Sequence, residues 1–270
     1  MKKNEKNGYV RICGGPETVE LECKFLDPED DGDMLESCGG LPVVEPEIPK
    51  PKRKRAAKKP ERVKNGITEI VFIIDKSGSM AGLEDDTVGG FNSFIEKQKS
   101  EDGVAYVTTV MFSTRHEKVH DREDIRNVEP LTREDYRVGG GTALYDALGD
   151  TVKHIQTVHR YVRAEDVPEK TIFVITTDGE ENSSRLYCAA DIKKMVKACE
   201  SERGWEFLFL GANIDAFCAA DRIGIHSSRA TTYDSADTGA MFRTVSSAVS
   251  YCRKMGKVSE EWAKDLKDDE

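Results

Sequence analysis

The chain has 270 residues, a net charge of −10, 33% charged residues and 38% hydrophobic residues. That length allows one large domain or two small ones, and the acidic balance argues against the whole chain binding nucleic acid or an anionic membrane. The opening MKKNEKNGYVRICGG lacks the apolar stretch of a secretory leader, and no run reaches the roughly 18 apolar residues of a membrane span, so a cytoplasmic setting is expected.

Residues 1–49 are polar and acidic, densest in DPEDDGDMLES at 27–37, and read as a disordered tail. Asp27, Glu29, Asp31 and Gly32 partly imitate a calcium loop, but the position that should hold a bidentate Glu is Cys38. The seven cysteines contain no CxxC pair, which fits reduced thiols; zinc shared by Cys13, Cys23 and Cys38 is the alternative.

Residues 50–65 reverse the charge: Lys52, Arg53, Lys54, Arg55, Lys58 and Lys59 stand among prolines 49, 51 and 60. A stiff, solvated linker is the simpler reading. Contact with a phosphate backbone, or an import signal, are the functional alternatives.

The folded part begins near Gly66 and is taken to end at Gly256, with an acidic tail at 257–270 anchored at most by Trp262. Ile70–Ile74 is a continuous apolar run that stops at Asp75, as expected of a strand buried on both faces of a parallel sheet. Asp75, Ser77 and Ser79 follow, with Gly78 between the serines. Hard oxygens at alternate positions beyond a strand's carboxyl end point to Mg²⁺ or Mn²⁺. A plain turn using Ser and Gly for backbone reasons is the competing reading.

A helix is expected over 83–99, with Phe91, Phe94 and Ile95 on one face, and Gly89-Gly90 marking close packing or a kink. Residues 104–113 form a second strand. His116–His120, HEKVH, match the zinc-protease pattern, which requires a helix that brings the two histidines about 6 Å apart. Directly after a strand, the five residues read as a short edge strand, which separates the histidines by about 13 Å. The match is therefore a chance one.

Residues 121–138 look irregular. Three glycines then precede Thr142, and a helix runs over 143–161 with Leu144, Leu148, Val152 and Ile155 as its apolar stripe. A glycine-rich loop can hold an anion, or bring the Thr142 hydroxyl close to another group. Ile172–Ile175 repeat the logic of the opening strand and end at Asp178-Gly179. A helix over 186–199, a strand over 205–213, a short helix over 214–224, an irregular segment or minor strand at 225–232 and a last helix over 238–255 complete the reading.

Alternating strands and helices predict an α/β fold, a doubly wound, mostly parallel sheet flanked by helices. Asp75, Ser77 and Ser79 in DKSGS, Thr142 in GGGTAL and Asp178 in TTDGE resemble the five elements of the metal-ion-dependent adhesion site of von Willebrand factor A (VWA) domains, in the family's chain order. The resemblance covers about residues 66–256 and is similar to compact, stand-alone intracellular members in bacteria and phages. It implies a Rossmann-like VWA fold. Ser77 and Ser79 would ligate a Mg²⁺ or Mn²⁺ directly, and Thr142 directly or through water. Asp75 and Asp178 would hold ligand waters and the serines. It also implies a protein partner that presents Asp or Glu to the ion, and no catalysis. The alternatives are a metal-assisted hydrolase using the same ion and a nucleic-acid-associated adaptor working through residues 50–64.

Overall fold

The computed structural model describes residues 66–212 and 214–267. The readings of the acidic tail, of the basic tract with Lys52, Arg53, Lys54, Arg55, Lys58 and Lys59, and of Cys13, Cys23 and Cys38 lie outside these residues.

Six strands form one sheet: β1 (Thr68–Asp75), β2 (Ala105–Phe112), β3 (His116–Asp124), β4 (Lys170–Thr177), β5 (Glu206–Gly211) and β6 (Ala230–Thr232). Their spatial order is β3-β2-β1-β4-β5-β6. β2 and β3 pair antiparallel and every other pair is parallel. The expected doubly wound, mostly parallel sheet is therefore present, with one antiparallel edge.

All eight residues of β1 are buried. Its side chains alternate between two cores, as the period of a strand requires. Ile70, Phe72 and Ile74 pack with Phe91 and Phe94 of α1 (Glu84–Lys99) and Phe242 of α5 (Thr238–Met255). Val71 and Ile73 pack with Leu148 and Val152 of α2 (Leu144–Tyr161), Ile192 of α3 (Ala189–Ala198) and Ala220 of α4 (Ala216–Arg222). Helices thus cover both faces, which is why the central strands read as unbroken apolar runs.

HEKVH lies in β3, in the extended form expected of it. That strand runs on to Asp124, into a segment expected to be irregular. A bulge permits it: Arg122 takes φ 52°, and the β2–β3 register shifts around Thr109. The bulge aims the Arg122 guanidinium at the buried Glu69 of β1, with Nε donating to Oε2 at 3.0 Å, and the His159 ring meets the same oxygen at 3.1 Å.

The helix expected over 186–199 begins later, at Ala189. The Asp146 carboxylate in the first turn of α2 accepts from the backbone N–H groups of Arg185, Leu186 and Tyr187, holding them as a loop. The helix closes in a single π-turn over Cys199–Arg203. The strand expected over 205–213 is shorter, ending at Gly211. α5 ends at Gly256 in the left-handed region, φ 82°, as its glycine stop predicts. Packing continues beyond that point: Val258, Trp262 and Ala263 are buried, Trp262 Nε1 donates to Ser228 O at 2.8 Å, and a short α6 spans Lys264–Lys267.

Candidate metal centre

In the strand order, β1 and β4 are neighbours. From β1 the chain builds outward in one direction, and from β4 in the other. This is the switch point at which a doubly wound sheet leaves a crevice beyond its strand ends. Asp75 ends β1, and Asp178 directly follows β4.

The first loop is fixed by Asp75, which is fully buried. Its Oδ1 accepts from Ser77 N at 2.7 Å and its Oδ2 from Thr177 Oγ1 at 2.6 Å. The Asp–Ser contact is the turn that an Asx side chain makes with the backbone two residues on. A one-turn 3₁₀ helix, Gly78–Met80, then places both serine hydroxyls on one side, 3.1 Å apart. Ser79 Oγ donates to Asp178 Oδ1 at 2.7 Å. The buried Tyr136 hydroxyl donates to the Asp75 carbonyl and pins the strand end from below.

The second loop is sewn to the first. Gly139 N donates to Lys76 O at 2.9 Å, and Gly78 N to Gly140 O at 3.0 Å. The glycines have separate reasons. Gly140 has φ +85°, and a Cβ on it would meet Thr114 Oγ1 at 2.6 Å; a Cβ on Gly141 would meet Ser183 Oγ at 2.1 Å. Thr142 is buried and held on both sides of its backbone by Asn182: its N–H donates to Asn182 Oδ1 at 2.9 Å, and its carbonyl accepts from Asn182 N at 3.0 Å.

The third loop completes a cradle. A Cβ placed on Gly179 would lie 3.2 Å from Thr142 Oγ1 and 3.3 Å from Ser79 Oγ. The missing side chain is the space between those hydroxyls. All five residues singled out in the sequence, Asp75, Ser77, Ser79, Thr142 and Asp178, are thus gathered around one crevice.

Electrostatics fit an added cation. Burial raises the Asp75 carboxyl above the usual carboxylate range, hydrogen bonds from Thr177 and Ser77 pull against it, and the Asp178 charge adds to the rise. Burial likewise raises the Tyr233 phenol, with Asp178 and Asp75 adding to it. The Tyr233 hydroxyl is buried and has no hydrogen-bond partner among the described residues, and such a group ordinarily has one. The donors are all oxygens and three are neutral hydroxyls, a hard set suited to Mg²⁺ or Mn²⁺. Among the described residues, no three or more His, Cys, Asp or Glu side chains gather in a way that could hold a metal. The residues therefore fit a hydroxyl-rich site and not a thiolate or imidazole one.

Sequence reasoning missed Thr177, Asn182, Tyr136 and Tyr233. Thr177 and Asn182 flank Asp178 in TTDGEEN, so the polar density there was the available signal. Neither tyrosine carries a local sign of its role.

The chain matches the family model described as VWA domain containing CoxE-like protein over residues 51–203, more than half its length and a span holding all five residues. No curated protein matches it. Among solved structures, the vWF domain of the type V pili tip protein Mfa5 from Porphyromonas gingivalis is similar with a TM-score of 0.51 and 11% identity, covering 72% of this chain and 98% of that one. The ArnB paralog VWA2 from Sulfolobus acidocaldarius aligns with a TM-score of 0.47 and 15% identity, over 68% of this chain and 45% of that one. This chain therefore spans less than half the length of the Sulfolobus protein. The manganese-loaded TRAP protein of Plasmodium vivax aligns with a TM-score of 0.47 and 16% identity, over 67% and 74%. The Mfa5 likeness shows the fold. By the matched family model, the chain belongs to the family of VWA domain containing CoxE-like proteins.

Proposed function

We propose that the domain is a metal-dependent protein-recognition module whose crevice takes an Asp or Glu side chain from a partner protein. Ser77 and Ser79 hydroxyls would hold a Mg²⁺ or Mn²⁺ directly, and Thr142 directly or through water. Asp75 and Asp178 hold the loop and the serines, and the Tyr233 hydroxyl is available to a water beneath the site. When bound, the ion supplies a hard Lewis-acidic point that keeps a ligand position for an outside oxygen.

The observation that carries this reading is how the two carboxylates are used. Asp75 spends one oxygen on Ser77 N and the other on Thr177 Oγ1, and Asp178 accepts from Ser79. Apart from the second Asp178 oxygen, the groups left to face the crevice are neutral hydroxyls. A cation held mostly by neutral oxygens keeps its charge, which favours a carboxylate from outside. No helix among the described residues is long and apolar enough to cross a membrane. The four described cysteines, Cys188, Cys199, Cys218 and Cys252, carry free thiols, which supports a cytoplasmic setting.

Retention of partner proteins from a native lysate, with Mn²⁺ and then with EDTA, tests the reading. Capture should disappear with EDTA and with Asp75→Ala together. Capture that persists unchanged in both sinks it.

A further inference from the structure

A cavity of about 50 Å³ opens beside the crevice, between the loop after β4 and helix α4. Gly179 lines it. The same glycine leaves the gap between Thr142 Oγ1 and Ser79 Oγ. One residue without a side chain is thus the wall shared by the cavity and the cradle. A carboxylate laid into the cradle therefore has the cavity as its neighbour across Gly179.

The apolar part of its lining is Leu144, Phe209, Ile214 and Ala219, and the exposed Glu180 and Arg222 also border it. Two of its three acidic neighbours, Glu181 and Asp215, are engaged by the protein itself. Glu181 accepts from Tyr145 N, Ser183 N, Ser184 N and Ser184 Oγ, and Asp215 accepts from Cys218 N. These bonds also fix the walls before any ligand arrives. Thr177 Oγ1, whose proton goes to Asp75, adds to this by accepting from Gly179 N at 3.3 Å. About 10–15 Å³ suffices for one water-sized group, so the space accepts roughly three or four heavy atoms.

We propose that this cavity is a side-chain pocket for the residue next to the partner's metal-directed Asp or Glu, and that it selects a short aliphatic side chain such as Val. The inference rests on the recognition reading above. A charged neighbour would lose its hydration in the apolar interior, and an aromatic ring exceeds the space.

The test uses the full chain in Mn²⁺ and immobilised peptides in which a single Asp is flanked, on either side, by Gly, Val, Lys or Trp in an otherwise Gly/Ser sequence. The Val peptide should be retained about tenfold more than the Gly peptide, consistent with burying an aliphatic side chain. Ala219→Leu, which fills the cavity from α4, should bring Val retention down to the Gly level while Mn²⁺ binding stays unchanged. Ile214→Ala, which widens it, should move the preference towards Leu. Equal retention of Val and Gly peptides, a preference for Lys or Trp, or no retention while Mn²⁺ still binds, overturns the pocket. Failure of the unmodified chain to bind Mn²⁺ overturns the reading beneath it, and is read in a separate titration without peptide.

Discussion

Ser79 and Asp178 stand 99 residues apart in the chain, yet Ser79 Oγ donates to Asp178 Oδ1 at 2.7 Å across the gap between the β1 and β4 ends. This bond joins two of the three loops around the crevice. It also turns the serine oxygen's free lone pairs away from Asp178.

Asp178→Asn keeps the shape of the side chain and removes its charge. Outer groups that orient ligands typically account for a 10–100-fold change in metal affinity. We expect Mn²⁺ affinity to fall by about that factor, with an unchanged circular dichroism spectrum. A calorimetric titration measures it.

Gly179→Ala separates metal binding from folding. The added Cβ would sit 3.2 Å from Thr142 Oγ1 and 3.3 Å from Ser79 Oγ, tight enough to displace a hydroxyl. Gly179 has no left-handed φ to lose. Stability should change by less than about 1 kcal/mol, as for substitutions without core strain, while Mn²⁺ affinity falls at least tenfold. Urea unfolding and metal titration read the two effects independently.

Gly89 and Gly90 of α1 should respond in opposite directions to alanine. No atom lies within 4 Å of a Cβ on Gly89, whereas a Cβ on Gly90 would meet the Phe242 ring at 2.2 Å. Gly89→Ala should stabilise by roughly 0.5–1 kcal/mol through helix propensity. Gly90→Ala should destabilise by about 1–3 kcal/mol through overpacking, and Phe242→Leu should relieve part of that cost. The comparison is made by urea denaturation of the two single variants and the double.

Arg122→Ala would leave the side chain of Glu69, which is fully buried, with only His159 as its partner among the described residues. Glu69 Oε1 already has no hydrogen-bond partner among the described residues. Removing one member of a buried pair typically costs about 3–5 kcal/mol. Replacing both, as Arg122→Leu with Glu69→Leu, should recover much of the loss. A double variant no more stable than Arg122→Ala would contradict the charge-burial account.

Much of this molecule was legible in its sequence because its central strands are buried on both faces. Ile70–Ile74 and Ile172–Ile175 read as strands without help from any partner, and the oxygens that follow them fell where the sheet order brings them together. The misreadings have specific long-range causes. The start of α3 moved because Asp146, about forty residues earlier, captures three backbone N–H groups. β3 ran past its expected end because Arg122 tolerates a left-handed backbone in exchange for Glu69. Periodicity counts neighbours along the chain, and these contacts lie across it. Thr177 and Asn182 were hidden for the same reason, since each acts by bonding a residue from another loop.

The most direct measurement is Mn²⁺ binding to the full chain and to Ser79→Ala, followed by calorimetry or electron paramagnetic resonance. Ser79 is exposed, so its loss should leave the fold intact. The account predicts saturable binding of one Mn²⁺ per chain, displaced by Mg²⁺, and weakened roughly tenfold or more in the variant. Absence of saturable binding, or equal binding by both proteins, would contradict it.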